Sequence, residues 1–441
     1  DPSFSLTSLV TALAALALGG FSDLPVTAAS AVALGVLSEG VAWDQPADPA
    51  LGLAVVAAVV LLAVLVRQLA AGQAERAAGS GWLLVAGVRD TPAALRRLPQ
   101  VRLGAPAAAV VVAAAAFSAP LWMGPGTLID ASTLVVLAIV GCSIVVLTGW
   151  SGQVTLGQMS LAALGAATGA VALLDWHWDL SLALLLAGAA GALVAVAVGV
   201  PTLRLDGIFV GVTTLALALA ASGYLLDPSQ FSWIPAGHLG TVRIFGVPLG
   251  SEASVFELCL AVGVLTLIAL SGLRHSRTGR VLRAVQSNEQ ASAGYGVAVA
   301  RARLSGFAIS GFIAGVAGCL LLVVNQQYTL SPFTAAASLT VFTATAVGGL
   351  GSALGAVLGA ALMEGSAIFL PPAWQMLPAA IGVLIVLLAF PGGVSGLWFT
   401  ARDRLLGRAA RRRESPAGQD GQDAAAGAGP HGAIDGAVMT R

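Results

Sequence analysis

The sequence predicts an all-α, polytopic transmembrane helical bundle with interrupted helices, and three observations predict it. Apolar residue types make up 57% of the 441 residues and charged types 10%, with a mean hydropathy of +0.91. A water-soluble domain of that composition would expose a very large apolar surface. Runs such as Leu51 to Val66 are apolar on every face, which suits a helix in hydrocarbon, whereas a membrane barrel needs alternation over segments of about ten residues. Every basic residue is an arginine, and the arginines gather on alternate loops, as the positive bias of cytoplasmic loops requires.

A hydrocarbon core about 30 Å thick takes roughly 20 helical residues per crossing. Apolar runs between polar breaks predict spans near 5–20, 24–42, 50–66, 105–121, 130–148, 156–174 and 180–200, then near 207–226, 254–271, 303–325, 335–349, 352–370 and 376–391. These are thirteen crossings or re-entrant segments. Alternating them puts the arginines of 67–102, Arg204, those of 274–303 and those of 402–413 on one side, with the C-terminus, and leaves Arg243 opposite. The other side carries Trp43, Trp176, Trp178, Trp233 and Trp374 beside Asp44, Asp48, Asp175 and Asp179, an aromatic belt at the interface. A metal site at Asp175, His177 and Asp179 is the lesser reading of that loop.

The chain opens at Asp1, and its first apolar run lacks a basic flank and a small-residue cleavage site. It reads as a fragment or processed end, not a signal peptide. Cys142, Cys259 and Cys319 sit singly in apolar runs and read as small core residues.

A repeat sets the domain organisation. Gly19-Gly20-Phe21-Ser22-Asp23, with Leu37-Ser38-Glu39-Gly40 downstream, recurs as Gly348-Gly349-Leu350-Gly351-Ser352 with Leu362-Met363-Glu364-Gly365. Residues 1–66 therefore read as the C-terminal part of a first membrane module and 105–413 as a complete second one. Between them, 67–104 is a polar, cytoplasmic linker, and 414–441, with almost nothing to bury, is a disordered tail.

Two stretches carry candidate chemistry. Gly149-Trp150-Ser151-Gly152-Gln153-Val154-Thr155-Leu156-Gly157-Gln158 is polar and glycine-rich inside apolar sequence, so it interrupts a helix. Interrupted helices offer free backbone groups to a polar solute, and Gln153, Thr155 and Gln158 add side-chain contacts. The competing reading is that Gly152 and Gly157 permit close packing and that the glutamines pair across helices. Gly348 and Gly349 form a second break, open to the same two readings. Glu39 and Glu364 lie near span ends, where an acidic group either serves a function or reaches water.

The second stretch is the long inner loop from Ser276 to Gly296, in which Arg280, Arg283, Ala284 and Ser287 share one helical face. Such a helix either binds anionic lipid or docks in a protein groove. The loop resembles the cytoplasmic coupling segment of bacterial ABC importer permeases, whose pattern of Glu-Ala-Ala, three residues and Gly is matched loosely by Gln290-Ala291-Ser292 and Gly296. Thr278-Gly279-Arg280, Arg283-Ala284, Asn288-Glu289 and Gly296 resemble more closely the M-type subunit of the branched-chain amino-acid permease family. So do Gly152-Gln153, Leu156-Gly157-Gln158, Pro201 to Leu205 with Gly207, and Val347 to Ser352. The likeness covers about 105–400, and 5–66 resembles the closing part of the H-type partner. Ala167, Phe209 and Ala293 depart from the family's usual residues, which bears on the solute more than on the fold.

The resemblance implies a multi-pass permease of the bacterial inner membrane that imports branched-chain or related small amino acids. It implies coupling through Arg280, Arg283, Asn288, Glu289, Ala291 and Gly296 to separate cytoplasmic ABC ATPases, and delivery by an extracytoplasmic solute-binding protein. ATP and Mg would be used by the ATPases, since this chain, without lysine, cannot form a P-loop. No cofactor, metal or nucleic acid is expected; lipid is. Urea or short amides are the alternative solutes. An ion-coupled carrier is the rival mechanism, against which stands the scarcity of ionisable groups at mid-span. An enzyme is disfavoured because His177, His238, His275 and His431 lie apart in loops or tail.

Overall fold

Hydrocarbon offers a backbone no hydrogen-bond partner but itself, so apolar sequence of this length folds as helices. The computed structural model describes residues 111–369 apart from 204–207 and 236, the helix Leu24–Asp44, and scattered positions elsewhere up to 62 and at 371. The chain divides into two units, Asp1–Val88 with Val112–Gly396, and Arg89–Val111 with Leu397–Arg441. All described residues but Val111 fall in the first. The expected linker at 67–104, the last span near 376–391 and the tail at 414–441 lie outside the described residues.

The helices are α1 (Leu24–Asp44), α2 (Pro125–Ile144), α3 (Gln158–Ala170), α4 (Leu180–Thr202), α5 (Ile208–Ala220), α6 (Glu252–His275), α7 (Arg277–Ser287), α8 (Glu289–Gly294), α9 (Val299–Asn325), α10 (Ala335–Gly348) and α11 (Ala353–Phe369). Among the described residues, six helices are long and apolar enough to cross a membrane. The protein is thus an all-α, multi-pass membrane protein. Three helices end in a π-helical turn, Val145–Trp150 after α2, Val171–Asp175 after α3 and Ala221–Leu225 after α5. Some spans run longer than the apolar runs suggested, among them Pro125–Trp150 against 130–148 and Val299–Asn325 against 303–325, while Gln158–Asp175 is close to the expected 156–174 and the run expected at 207–226 is the shorter apolar helix Val210–Leu225. Polar and glycine residues at the ends of the longer spans continue the helix because their own backbone bonds are satisfied there.

The pair expected near 335–349 and 352–370 is present as two short helices, α10 and α11, bent by 118° at the break. At 14 residues α10 is too short to cross a bilayer, so the two form a re-entrant hairpin or a broken span.

The core is built by close approach of small residues. α9 lies between α3 and α4. A β carbon on Gly191 would stand 2.4 Å from Gly311 O, one on Gly165 2.2 Å from Gly315 O, and one on Gly318 1.7 Å from Ala162 O. Small residues every four positions let backbones touch where lipid gives no hydrophobic drive to associate. Cys142, Cys259 and Cys319 are buried, as small core residues should be. Leu34 of α1 joins an apolar cluster with Val210, Val212 and Phe307.

The two ends of the bundle differ. At one, α6 closes on Arg274 and His275, α7 and α8 follow, and α9 opens with Arg301 and Arg303. At the other lies a hairpin outside the predicted spans, β1 (Val242–Ile244) and β2 (Val247–Leu249), antiparallel, with Phe245 and Gly246 both at positive φ in its tip. Positive φ at both tip residues matches the right-handed strand twist. Arg243 sits there, away from the other described arginines, as the alternation of loops required.

Asp179 fastens that hairpin. Its carboxylate caps α4 by accepting from Ser181 N at 3.0 Å and Ser181 Oγ at 2.7 Å, and accepts from Gly246 N at 3.1 Å. These donors, Ser181 first, lower its pKa from 3.8 to about 2. A carboxylate so engaged is no free metal ligand. Because the folded value lies below the unfolded one, its stabilisation is complete above about pH 4 and fades as pH falls towards 2. We expect the carboxyl carbon of Asp179 to titrate near 2 by NMR; a midpoint near 3.8 would mean that the cap and the Gly246 contact are not formed in solution.

Candidate functional site

The first interruption is made by a π turn and a looped re-entry. α2 widens at Val145–Trp150, all six residues buried, and the chain then leaves helical geometry until α3 starts at Gln158. Gly152, at φ +73°, reverses the chain, and a β carbon there would stand 3.1 Å from Gln286 Cγ of α7. Gly157 approaches Thr214 so closely that a β carbon would lie 1.9 Å from its carbonyl oxygen. At Gly157 the geometry is that of close packing.

A helix that starts inside a bundle leaves its first N–H groups without helical partners. Here hydroxyls of other helices meet two of the donors around that start. Leu156 N donates to Thr214 Oγ1 of α5 at 3.0 Å, and Met159 N to Ser338 Oγ of α10 at 2.9 Å. Thr148 braces the loop by donating to Gln153 O at 3.1 Å and accepting from Thr155 N at 3.4 Å.

Gln158 is the hub of a buried polar cluster. Its Nε2 donates to Ser143 Oγ at 2.8 Å and Ser310 Oγ at 2.9 Å, its Oε1 accepts from Thr155 Oγ1 at 3.3 Å, and Ser310 Oγ donates to Ser143 O at 2.9 Å. α2, α3 and α9 are thereby joined. Of the two readings of Gln158, pairing across helices is the one this geometry carries. Gln153 differs: it is 4% exposed, and its backbone is held in the turn, N donating to Leu147 O at 3.0 Å and O accepting from Thr148 Oγ1 at 3.1 Å. Gln158→Leu removes four hydrogen bonds, the fourth from Nε2 to Ser310 O at 3.5 Å. At about 0.6 kcal/mol per interhelical bond in a membrane, we expect a loss of about 2 kcal/mol, read as an earlier midpoint in denaturant titration of the purified protein. An unshifted midpoint would show that the cluster adds no stability.

The second interruption lies against the first. Gly349 has φ +116° and ends α10, and Ser352 Oγ accepts from Gly355 N at 3.0 Å to restart the chain as α11. Gly348 packs on Gly355 O, 1.9 Å from where a β carbon would stand. Trp150 Nε1 donates to Gly351 O at 3.3 Å, and a β carbon on Gly149 would lie 1.9 Å from Leu350 O. Gly152, Gln153, Thr155, Gly157, Gln158, Gly348 and Gly349 thus belong to one region. The corresponding break near Gly19 falls largely outside the described residues.

The inner segment forms two short helices. α7 is capped by Ser276, which accepts from Gly279 N at 3.2 Å, and α8 by Asn288, which accepts from Ala291 N at 2.9 Å. α7 buries Leu282 and Val285. The opposite face is open: Arg277, Arg280, Ala284, Ser287, Asn288, Ala291 and Gly296 are exposed, and Tyr295 is 90% exposed. Arg280 and Arg283 have inward work that their spacing did not reveal. Arg280 Nη1 donates to His275 O at 2.6 Å and Arg283 Nη2 to Arg274 O at 2.9 Å, satisfying carbonyls at the end of α6. Glu289 pairs with Arg303, fixing α8 to α9.

Ser143, Ser310, Thr214 and Ser338 carry no signal in the sequence that marks their partners. A lone hydroxyl within an apolar span is a signal, but one satisfied by its own helix looks the same as one that reaches across.

A family model described as branched-chain amino acid transport system / permease component matches residues 126–390. The chain is similar to the high-affinity branched-chain amino acid transport system permease protein LivM of Escherichia coli (strain K12), 27% identical over 275 residues, covering 55% of this chain and 63% of that protein. It is similar to LivH of Salmonella typhimurium, 28% identical over 163 residues, covering 35% of this chain and 52% of that protein. A third relative is the autoinducer 2 import system permease protein LsrC of an Enterobacter strain, 30% identical over 260 residues, covering 56% of this chain and 73% of that protein. The chain spans less than two thirds of the length of its LivM and LivH relatives. No solved structure matches it.

Proposed function

Because the chain belongs to the family of branched-chain amino acid transport permease components, we propose that it forms the membrane path of an ATP-driven importer for branched-chain or related small amino acids. The observation that carries this is the meeting of two interrupted helices, at Trp150 and Gly351, beside an amphipathic helix whose outer face is open. An interrupted passage offers Gln153 and free backbone groups to a zwitterion, and apolar walls tolerate an aliphatic side chain. The α7–α8 face, with its small residues and exposed Tyr295, suits a groove on a cytoplasmic ABC ATPase.

In this reading the arginine-bearing end, and with it the C-terminus, faces the cytoplasm of a bacterial inner membrane. The end carrying the β-hairpin receives solute from an extracytoplasmic binding protein, while ATP and Mg act on the ATPases. The relative named for autoinducer 2 import supports a second solute class on the same scaffold, and urea or short amides remain the alternative among small polar cargo.

The test is reconstitution of the full-length permease with its ATPases and binding protein in liposomes, using labelled leucine, isoleucine, valine and urea. The expected result is leucine uptake that needs ATP and is lost without the binding protein. Equal uptake with no nucleotide present would replace this reading with that of a gradient-driven carrier.

A further inference from the structure

Three parts of the chain converge on the π turn Val145–Trp150. The tip between α10 and α11 reaches it through the Trp150 Nε1 to Gly351 O bond at 3.3 Å and the contact of Gly149 with Leu350 O. α7 reaches it from the other side: Leu282 and Val285 are buried in one apolar cluster with Val145, Val146 and Trp150, and Gln286 lies against Gly152. α9 closes the third side, where Gly306 leaves room for Ser151, whose Cβ would stand 3.0 Å from a β carbon there. Trp150 itself is 3% exposed.

These contacts leave little slack. Gly149 touches a backbone carbonyl, not a side chain that can swing away, and the buried indole bonds the hairpin tip at Gly351 O. Packed interiors transmit displacement because they have few voids to absorb it. The turn itself is a π helix, whose wider bonding pattern is less stable than an α turn and frequently marks functional positions.

We infer that Trp150 is a positioning residue, a strut through which displacement of α7 moves the tip of the α10–α11 hairpin, so that α7, residues 149–152 and the tip travel as one body. This rests on the proposed role of α7 as the segment that meets the ATPase. It adds that the second interruption, not only the first, answers to that segment, although α7 and the tip are far apart in sequence.

The experiment measures leucine uptake per ATP hydrolysed by the full-length permease with its ATPases and binding protein. Trp150→Ala should lower that ratio at least about fivefold, the low end of usual coupling between sites, while hydrolysis continues. Trp150→Phe, which keeps an aromatic ring but loses the donor, should fall between it and the parent. An unchanged ratio in Trp150→Ala, or uptake and hydrolysis lost in equal proportion, overturns the strut. If Trp150→Ala does not fold, the ratio in Trp150→Phe decides, and equality with the parent counts against it.

A parent that moves leucine without nucleotide would instead remove the transport reading beneath it, an outcome distinct from any variant's.

Discussion

Replacing Gly318 by valine is expected to leave little folded protein. A β carbon there would stand 1.7 Å from Ala162 O and 2.5 Å from its carbonyl carbon, and both obstacles are backbone. α9 can admit the side chain only by moving away from α3, which also disturbs the contacts of Gly311 and Gly315 with α4. Overpacking a filled core costs about 1–3 kcal/mol, occasionally more, and here the displaced element is the central helix. Because both obstacles are backbone, the cost belongs in the upper tail of that range, a large share of a total stability that can be as low as about 5 kcal/mol, and the variant should fail to give a monodisperse peak in detergent. Gly272→Val is the control, since nothing lies within 4 Å of a β carbon at that position. Equal yields and elution of the two variants would refute this account of the core.

The second large effect is expected from Arg280→Ala combined with Arg283→Ala. Both guanidinium groups bond the final carbonyls of α6, where positive charge also complements the helix dipole; each such contact is worth about 0.3–1 kcal/mol. Together they hold α7 at a set angle to α6 across the single residue Ser276. Losing both frees α7 by about 0.6–2 kcal/mol, a three- to thirtyfold change in how often it presents its open face correctly. Solute-stimulated hydrolysis and uptake should fall by that factor while the protein still elutes as a folded species. Hydrolysis that responds to solute as in the parent would argue that neither arginine contributes. Lysine at both positions should restore only part of the loss, because one ammonium group does not reproduce the planar fork.

The spans were legible because lipid imposes one rule on every helix, and an apolar run such as Leu180–Thr202 can obey it in one way. Both interruptions were legible for the opposite reason: Gly152-Gln153 and Gly348-Gly349 break that rule inside hydrocarbon. What the polar side chains at those breaks touch was not legible. Gln158 bonds Ser310, 152 residues away, and nothing local to either residue marks the partnership. The arginines of α7 had a readable spacing, yet their inward bonds depend on where α6 stops. The π turns followed no local signal either, since Val145 to Leu147 would serve equally in an α turn.

The start of α3 has a further consequence for how this protein is made. Two donors there are met by Thr214 and by Ser338, and the second lies 179 residues farther along the chain than Met159. During vectorial synthesis the early helices enter the bilayer with that amide still waiting for a hydroxyl that the ribosome has not yet produced. The core of the bundle is therefore completed only when residues far downstream arrive, and α3 gains its Ser338 partner last.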